Sequence, residues 1–335
     1  MKKLIVTLMT FLFSVLPLSA CKKSEEGKTK VKISEVTHSV FYAPLYLADA
    51  LGYFAEENIE IELSNGGGAD NVMSAVLSGG VQVGFCGPEA ALYVLAGGST
   101  DAPKVFGQLT KRDGSFLVSR KSEPDFTWSD LAGKEILAGR KGGVPAMTFE
   151  YVLKNAGLTN GKDVTLNYDV AFNLMTGAFE AGTADYCTMF EPTASEYQAA
   201  GKGYIVASVG EASGEVPYTC FMAKESWLKN NAATAKGILR AVAKAVKYVS
   251  EADEDDVAKA LTPYFDGTSA TSLSASVKSY KNIDAWVENP AMTNDALTRL
   301  QDIIGGAGEL PRRVGLEELT KNDFAEEVYK EVFGK

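Results

Sequence analysis

From Val31 onward, short β-like runs alternate with helix-like stretches, and this rhythm restricts the chain to α/β domains with mainly parallel sheets. Ile59, Ile61 and Leu63 alternate with acids, as a half-buried strand does. Val81–Cys86, Lys104–Gly107, Glu135–Ala138 and Tyr204–Ala207 are further strand candidates bounded by Gly or Pro. Amphipathic segments such as 44–51, 70–78 and 145–155 lie between them. The rhythm also contains an internal echo. Val72-Met73-Ser74, Gly80, a strand and Gly87-Pro88-Glu89-Ala90 resemble Leu174-Met175-Thr176, Gly182, a strand and Glu191-Pro192-Thr193-Ala194. In both copies a proline sits where a first helical residue would be, and there its missing N–H costs nothing. The echo predicts two α/β lobes of like construction, with a cleft between the carboxyl ends of their strands, where ligands of open α/β sheets bind.

The boundaries follow from the same pattern. Residues 31–119 and 218–335 are expected to form lobe one and residues 120–217 lobe two, with the chain crossing near Ser115–Ser119 and Tyr218–Ala223. After the second crossing the sequence is helical. Ile238, Val242, Ala245, Val246 and Val249 make one apolar face, and Lys236, Arg240, Lys244 and Lys247 lie opposite, as on a solvated helix.

The N-terminus has Lys2-Lys3, an apolar stretch from Leu4 to Leu18, and Leu18-Ser19-Ala20-Cys21. The stretch is too short for a membrane span, which needs roughly 20 apolar residues, and it reads as an export signal over 1–20. Its ending resembles a lipobox, with Cys21 as the acylated residue, residues 21–30 as a tether, and the mature protein lipid-anchored outside the cell membrane. The formal net charge is −10 and becomes more negative once Lys2 and Lys3 are removed, which argues against a nucleic-acid partner. Cys86, Cys187 and Cys220 are then an odd set with no metal-type spacing, and one histidine cannot complete a His-rich zinc site. Buried free thiols are expected, with no metal and no cofactor.

Two glycine-led helix starts are the best ligand sites. "NGGGADNV" (65–72) places Gly67 and Gly68 ahead of a helix, and "GRKGGVPAM" (139–147) does the same with Arg140, Gly142, Gly143 and Val144. Glycines let the backbone approach a ligand, and a helix start offers unpaired N–H groups. Neither stretch has the spacing of a phosphate-binding loop. Phe41, Tyr42, Tyr93, Phe172, Phe190 and Tyr218 fall near the same edge and suit a planar ligand. At the two proline turns, Glu89 and Glu191 are candidate acceptors for an amine or ring N–H. His38, the only histidine, follows the first strand and is expected at the cleft mouth with one hydrogen bond. No G-x-S-x-G elbow supports a catalytic serine.

The stretch "FYAPLYLADALGYFAEENIEIEL" (41–63) resembles the opening of the nitrate, sulfonate and taurine (NitT/TauT) solute-binding proteins of ABC importers, a group that includes binders of thiamine pyrimidine precursors. "SGGVQVGFCGPEA", "LAGKEILAGRKGG", "AFEAGTADYCTMFEPTASEYQAAGKGY" and "LTKNDFAEEVY" match later landmarks in order. The resemblance implies a type II periplasmic-binding-protein fold, a monomer that closes on a small ligand, and delivery to a permease and ATPase rather than chemistry. It places His38, Phe41, Tyr42, Gly67, Gly68, Gly87, Pro88, Gly142, Gly143 and Glu191 on binding positions. A thiamine-pyrimidine-like nitrogen heterocycle is favoured over an alkanesulfonate, taurine or nitrate anion, because Glu89 and Glu191 would repel an anion. A same-fold enzyme, a pyrimidine synthase or chorismate dehydratase, is the remaining alternative, and the export signal weighs against it.

Overall fold

The computed structural model describes residues 27–335; the export signal over 1–20, Cys21 and most of the 21–30 tether lie outside the described residues. Ten strands form two five-stranded sheets. The first contains β1 (Thr29–Glu35), β2 (Ile59–Asn65), β3 (Val83–Cys86), β4 (Pro103–Thr110) and β10 (Thr219–Lys224), in the order β2-β1-β3-β10-β4. The second contains β5 (Ser115–Ser119), β6 (Glu135–Leu137), β7 (Thr165–Asn167), β8 (Tyr186–Phe190) and β9 (Tyr204–Ser208), in the order β7-β6-β8-β5-β9.

The two orders are the same arrangement written twice. In each sheet the first three strands are parallel, the fourth runs antiparallel between its neighbours, and the fifth pairs with that fourth. The fourth place is filled in both cases by the strand that has just crossed over: β10 completes sheet one on the way back, and β5 completes sheet two on the way out. In the echo, β3 corresponds to β8.

One expected boundary moves. Residues 115–119 belong to the second sheet, where Phe116 pairs with Met189 on one side and Ser208 on the other. All five residues of this strand are buried, and a fully buried run flanked by two partners is a central strand rather than a linker. The crossings are therefore the segments between Thr110 and Ser115 and between Ser213 and Thr219. They are stitched together: Val216 N–H donates to Lys111 O at 2.8 Å, Tyr218 N–H to Thr110 O at 3.1 Å, and Thr219 N–H to Thr110 Oγ1 at 2.9 Å.

The long helix Ala232–Glu251 buries Ile238, Val242, Ala245, Val246 and Val249, as its spacing predicts. Lys247 of its basic stripe is exposed, while the other three basic residues are paired. Lys236 pairs with Glu327 at 2.6 Å, Arg240 with Glu57 and with Glu331 (2.7 Å to the latter), and Lys244 with Glu56 at 2.7 Å. These pairs tie the helix to its neighbours Tyr53–Glu56 and Asn322–Phe333. Each contributes modestly at a surface, about 0–1 kcal/mol. Cys86, Cys187 and Cys220 are buried free thiols, and burial pushes each thiol above its usual range, so they pack as small apolar groups. Among the described residues no helix is long and apolar enough to cross a membrane, and no His/Cys/Asp/Glu group has metal-site geometry.

Candidate functional site

The two sets of strand ends face each other across a cavity of about 50 Å³. Lobe one contributes Val36 and Thr37 after β1, Tyr42, Gly68 and Ala69, and Gly87 and Glu89 after β3. Lobe two contributes Arg140, Gly143 to Pro145, Phe172 and Phe190, and the return crossing adds Tyr218 and Thr219. Drug-sized ligands occupy roughly 300–1,000 Å³, so this partly open space suits a small ligand.

Helices Ala69–Ser78, Glu89–Ala96 and Val144–Asn155 all begin at this cavity. Their first N–H groups and dipoles make the space electropositive before any side chain is counted. The protein answers that potential with a carboxylate of its own. Glu89 is 1% exposed, and its Oε1 accepts from Val144 N–H at 3.4 Å, across the cleft. Oε2 has no partner among the described residues. Burial pushes the carboxyl up to about 7, with the N–H groups of Glu89, Val144 and Ala90 and the Arg140 charge pulling the other way. Gly87 makes room for it: a Cβ there would lie 2.0 Å from Glu89 Oε2.

The lobes are closed on one another through helix Asn294–Gly306 packed on Val144–Asn155, with Lys154 Nζ donating to Gly306 O at 2.6 Å, and through one loop. Arg140 Nε lies 3.3 Å from Asp70 Oδ1, Lys141 Nζ 3.5 Å from Glu309 Oε1, and Gly142 O accepts from the Tyr93 hydroxyl at 3.0 Å. With Val144 on Glu89, nearly every residue from 140 to 144 touches lobe one. On the other side, Ser39 Oγ donates to Glu191 O at 2.5 Å and Glu191 N–H to the Tyr280 hydroxyl at 2.9 Å.

Of the residues singled out from the sequence, Tyr42, Gly68, Gly87, Glu89, Arg140, Gly143, Val144, Phe172, Phe190 and Tyr218 meet at the cavity. The others do not line it. Phe41 is fully buried, ringed by Tyr42, Phe190, Tyr218 and Tyr280, so it supports the wall from behind. Gly67 adopts φ +68° and closes a turn on Asn65 Oδ1, and Pro88 caps the helix that presents Glu89. Gly142, at φ +74°, aims its carbonyl at Tyr93.

Glu191 turns away as well. Its carboxylate accepts from Ser195 N–H at 2.9 Å and Ser195 Oγ at 2.7 Å, capping its own helix, although burial raises its pKa. His38 also faces the protein. Its Nε2 donates to Tyr264 O at 2.7 Å, its Nδ1 lies 2.8 Å from Glu35 Oε1, and its ring packs on Tyr46 and Phe265. Two acceptors on one ring favour the imidazolium, and the Glu35 contact raises the His38 pKa against the opposing effect of burial. The sequence reading missed Val36, Thr37, Ala69, Pro145 and Thr219. All but Val36 had a flagged neighbour in sequence: Thr37 beside His38, Ala69 beside Gly68, Pro145 beside Val144 and Thr219 beside Tyr218.

The family model for NMT1/THI5-like proteins matches residues 40–255. The chain belongs to this family. It is 41% identical over 320 residues to a Bacillus subtilis (strain 168) protein named "Putative binding protein YtlA", covering 96% of each chain. Among solved structures, it resembles the periplasmic nitrate-binding protein NrtA from Synechocystis PCC 6803, at a TM-score of 0.75 and 16% identity over 91% of this chain and 89% of that one. The alkanesulfonate-binding protein SsuA from Xanthomonas axonopodis pv. citri, bound to MOPS, aligns at a TM-score of 0.71 and 18% identity over 87% of this chain and 98% of that one. The fold is that of type II periplasmic binding proteins, two α/β lobes with a cleft between them.

Proposed function

We propose that this chain is the solute receptor of an ABC importer, exported and held at the membrane by lipid on Cys21, which captures a small polar solute between its lobes and hands it to a permease and ATPase. The interlobe cavity carries this reading, supported by the likeness to a named binding protein over almost the whole chain. The anchor is tested by Cys21→Ser, which should leave the protein uncleaved or release it from membranes; normal cleavage with unchanged membrane retention would refute it.

The solute we infer is a planar nitrogen compound, thiamine-pyrimidine-like in chemistry, that donates N–H to Glu89 between the Tyr42, Phe172 and Phe190 rings. Three converging helix starts also favour the alternative, a nitrate- or sulfonate-like anion. Two facts weigh against the anion. Glu89 already occupies the start of helix Val144–Asn155, and Arg140 is paired with Asp70.

The ionisation of Glu89 separates the two ligand classes. With its carboxyl near 7, a donor ligand gains affinity as pH rises and Glu89 becomes the carboxylate, roughly tenfold between pH 6 and 8. An anion gains affinity in the opposite direction. Calorimetric titration of pyrazole and of nitrate across this range, on wild type and Glu89→Gln, tests the reading. The donor class requires pyrazole binding that rises with pH and flattens in the variant. Nitrate binding that strengthens toward pH 6 would establish the anion instead.

A further inference from the structure

The crossings between the lobes hold a pair of buried polar groups that the fold leaves incomplete. Asp113, fully buried on the outgoing crossing, uses Oδ1 twice: Ser115 N–H donates to it at 2.7 Å and Ser115 Oγ at 2.5 Å. Its Oδ2 has no partner among the described residues. Tyr218, 4% exposed on the returning crossing, lines the cavity, and its hydroxyl is likewise without a partner among the described residues. The two groups sit on crossings joined by the Val216–Lys111 and Tyr218–Thr110 backbone bonds, and each shifts the ionisation of the other, although neither atom completes a well-directed hydrogen bond. An unmet buried polar atom carries an uncompensated desolvation cost, so a small adjustment that joins them is favoured.

The charged groups of the crossings are engaged mainly elsewhere, although Arg112 Nε is itself without a partner among the described residues. Lys111 pairs with Asp284 at 2.6 Å and Glu215 at 3.7 Å, and Arg112 with Glu215 at 3.6 Å. The backbone of the crossing is held on both sides. A Cβ on Gly210 would lie 2.1 Å from Asp113 O, and the Tyr280 hydroxyl donates to Gly114 O at 3.1 Å. The Asp113 side chain therefore has one free acceptor, and of the two unmet donors on the crossings, Arg112 Nε and the Tyr218 hydroxyl, only the second belongs to a residue that lines the cavity.

We propose that Asp113 is a positioning residue for ligand selection: when solute enters the cavity, the Tyr218 hydroxyl donates to Asp113 Oδ2 and turns its own lone pairs toward the solute. A phenol has a single proton. Once that proton is committed to Asp113, Tyr218 can only accept from the ligand. With Glu89 as the second acceptor, the site takes a molecule with two N–H or O–H donors, such as a small N–H heterocycle or an amidine. This inference rests on the receptor reading of the cavity and adds the residue that sets its polarity.

Pyrazole and isoxazole are a matched pair of neutral five-membered rings, one with an N–H and one with only acceptors. Ligand-observed NMR titration of the mature chain should give wild type a preference for pyrazole of about tenfold or more. In Asp113→Asn the two Ser115 donors hold the amide oxygen where Oδ1 was, so the amide NH2 faces Tyr218 and donates to it. The Tyr218 proton then returns to the cavity, and the preference collapses or reverses. Tyr218→Phe, which removes only the hydroxyl, should lose the same preference, and the double variant should lose no more. An unchanged ratio in folded Asp113→Asn, or in Tyr218→Phe should the first variant not fold, overturns the inference alone. Wild type that binds isoxazole equally well, or neither ring, overturns the donor-ligand reading and the inference with it.

Discussion

Sheets one and two place a glutamate at the same point, after their third strands, and the two side chains do opposite things. In lobe one the order is Pro88-Glu89, so the glutamate is the first residue of its helix and its carboxylate lies under the cavity with one oxygen unmet. In lobe two the order is Glu191-Pro192, so the glutamate precedes the helix and reaches back to cap Ser195 at its third position. A one-residue exchange between glutamate and proline converts an N-terminal cap into a cavity acceptor. The lobes share a frame, then, and only lobe one places a carboxylate at the cavity. Lobe two contributes aromatic rings, a helix start and the loop that closes over them.

The largest expected break in this asymmetry is at Gly87. A Cβ there would sit 2.0 Å from Glu89 Oε2 and within 3 Å of the rest of the carboxyl, so Gly87→Ala forces the acceptor out of place. Overpacking of this kind costs about 2 kcal/mol, and titration should show solute binding weakened about 30-fold. Binding at wild-type affinity would mean that Glu89 does not need its observed position.

Glu191→Ala should act on the other side of the comparison. It removes both hydrogen bonds to Ser195, leaves that N–H unmet in a half-buried place, and should lower stability by about 1–2 kcal/mol in denaturant unfolding. Solute affinity should stay within about threefold, since the carboxylate faces away from the cavity. A loss of affinity as large as that of Gly87→Ala would show that both glutamates serve the ligand, as the sequence alone suggested.

Much of the frame was legible before any coordinates. Alternation at Ile59, Ile61 and Leu63 marked an edge strand, proline and glycine marked where helices begin, and the echo between 72–90 and 174–194 implied paired sheets of one design. Most cavity residues came from the same signals, because glycine-led helix starts at strand ends are local features. The rest depended on partners far away in sequence. Nothing near Ser115–Ser119 told a hinge from a central strand until β8 and β9 flanked it. Nothing around Glu191 revealed that Ser195 would claim its carboxylate, and Asp113 carried no motif at all. His38 was flagged by its rarity, and its role was decided by a carbonyl 226 residues away.

That histidine supplies the smallest expected effect and sharpens the contrast within lobe one. Glu35 ends β1 as Glu89 follows β3, yet Glu35 is fully partnered, with His38 on Oε1 and the Tyr46 hydroxyl on Oε2 at 2.5 Å. The pair braces Val36 and Thr37, which line the cavity between them. Because the folded state raises the His38 pKa above its unfolded value of 6.5, the stability it adds is fully present below pH 6.5 and fades as pH rises through the folded-state pKa. The ring is 36% exposed, so solvent screening holds the contribution to about 1 kcal/mol or less. Thermal unfolding of wild type and His38→Gln should therefore differ most near pH 5.5 and converge by pH 9, while solute affinity at pH 8 stays within about twofold. If the gap persists undiminished at pH 9, the ring stabilises the loop by packing against Tyr46 and Phe265 rather than by its charge. If affinity falls with stability at pH 8, the brace belongs to the binding machinery and lobe one reads the solute through two strand ends instead of one.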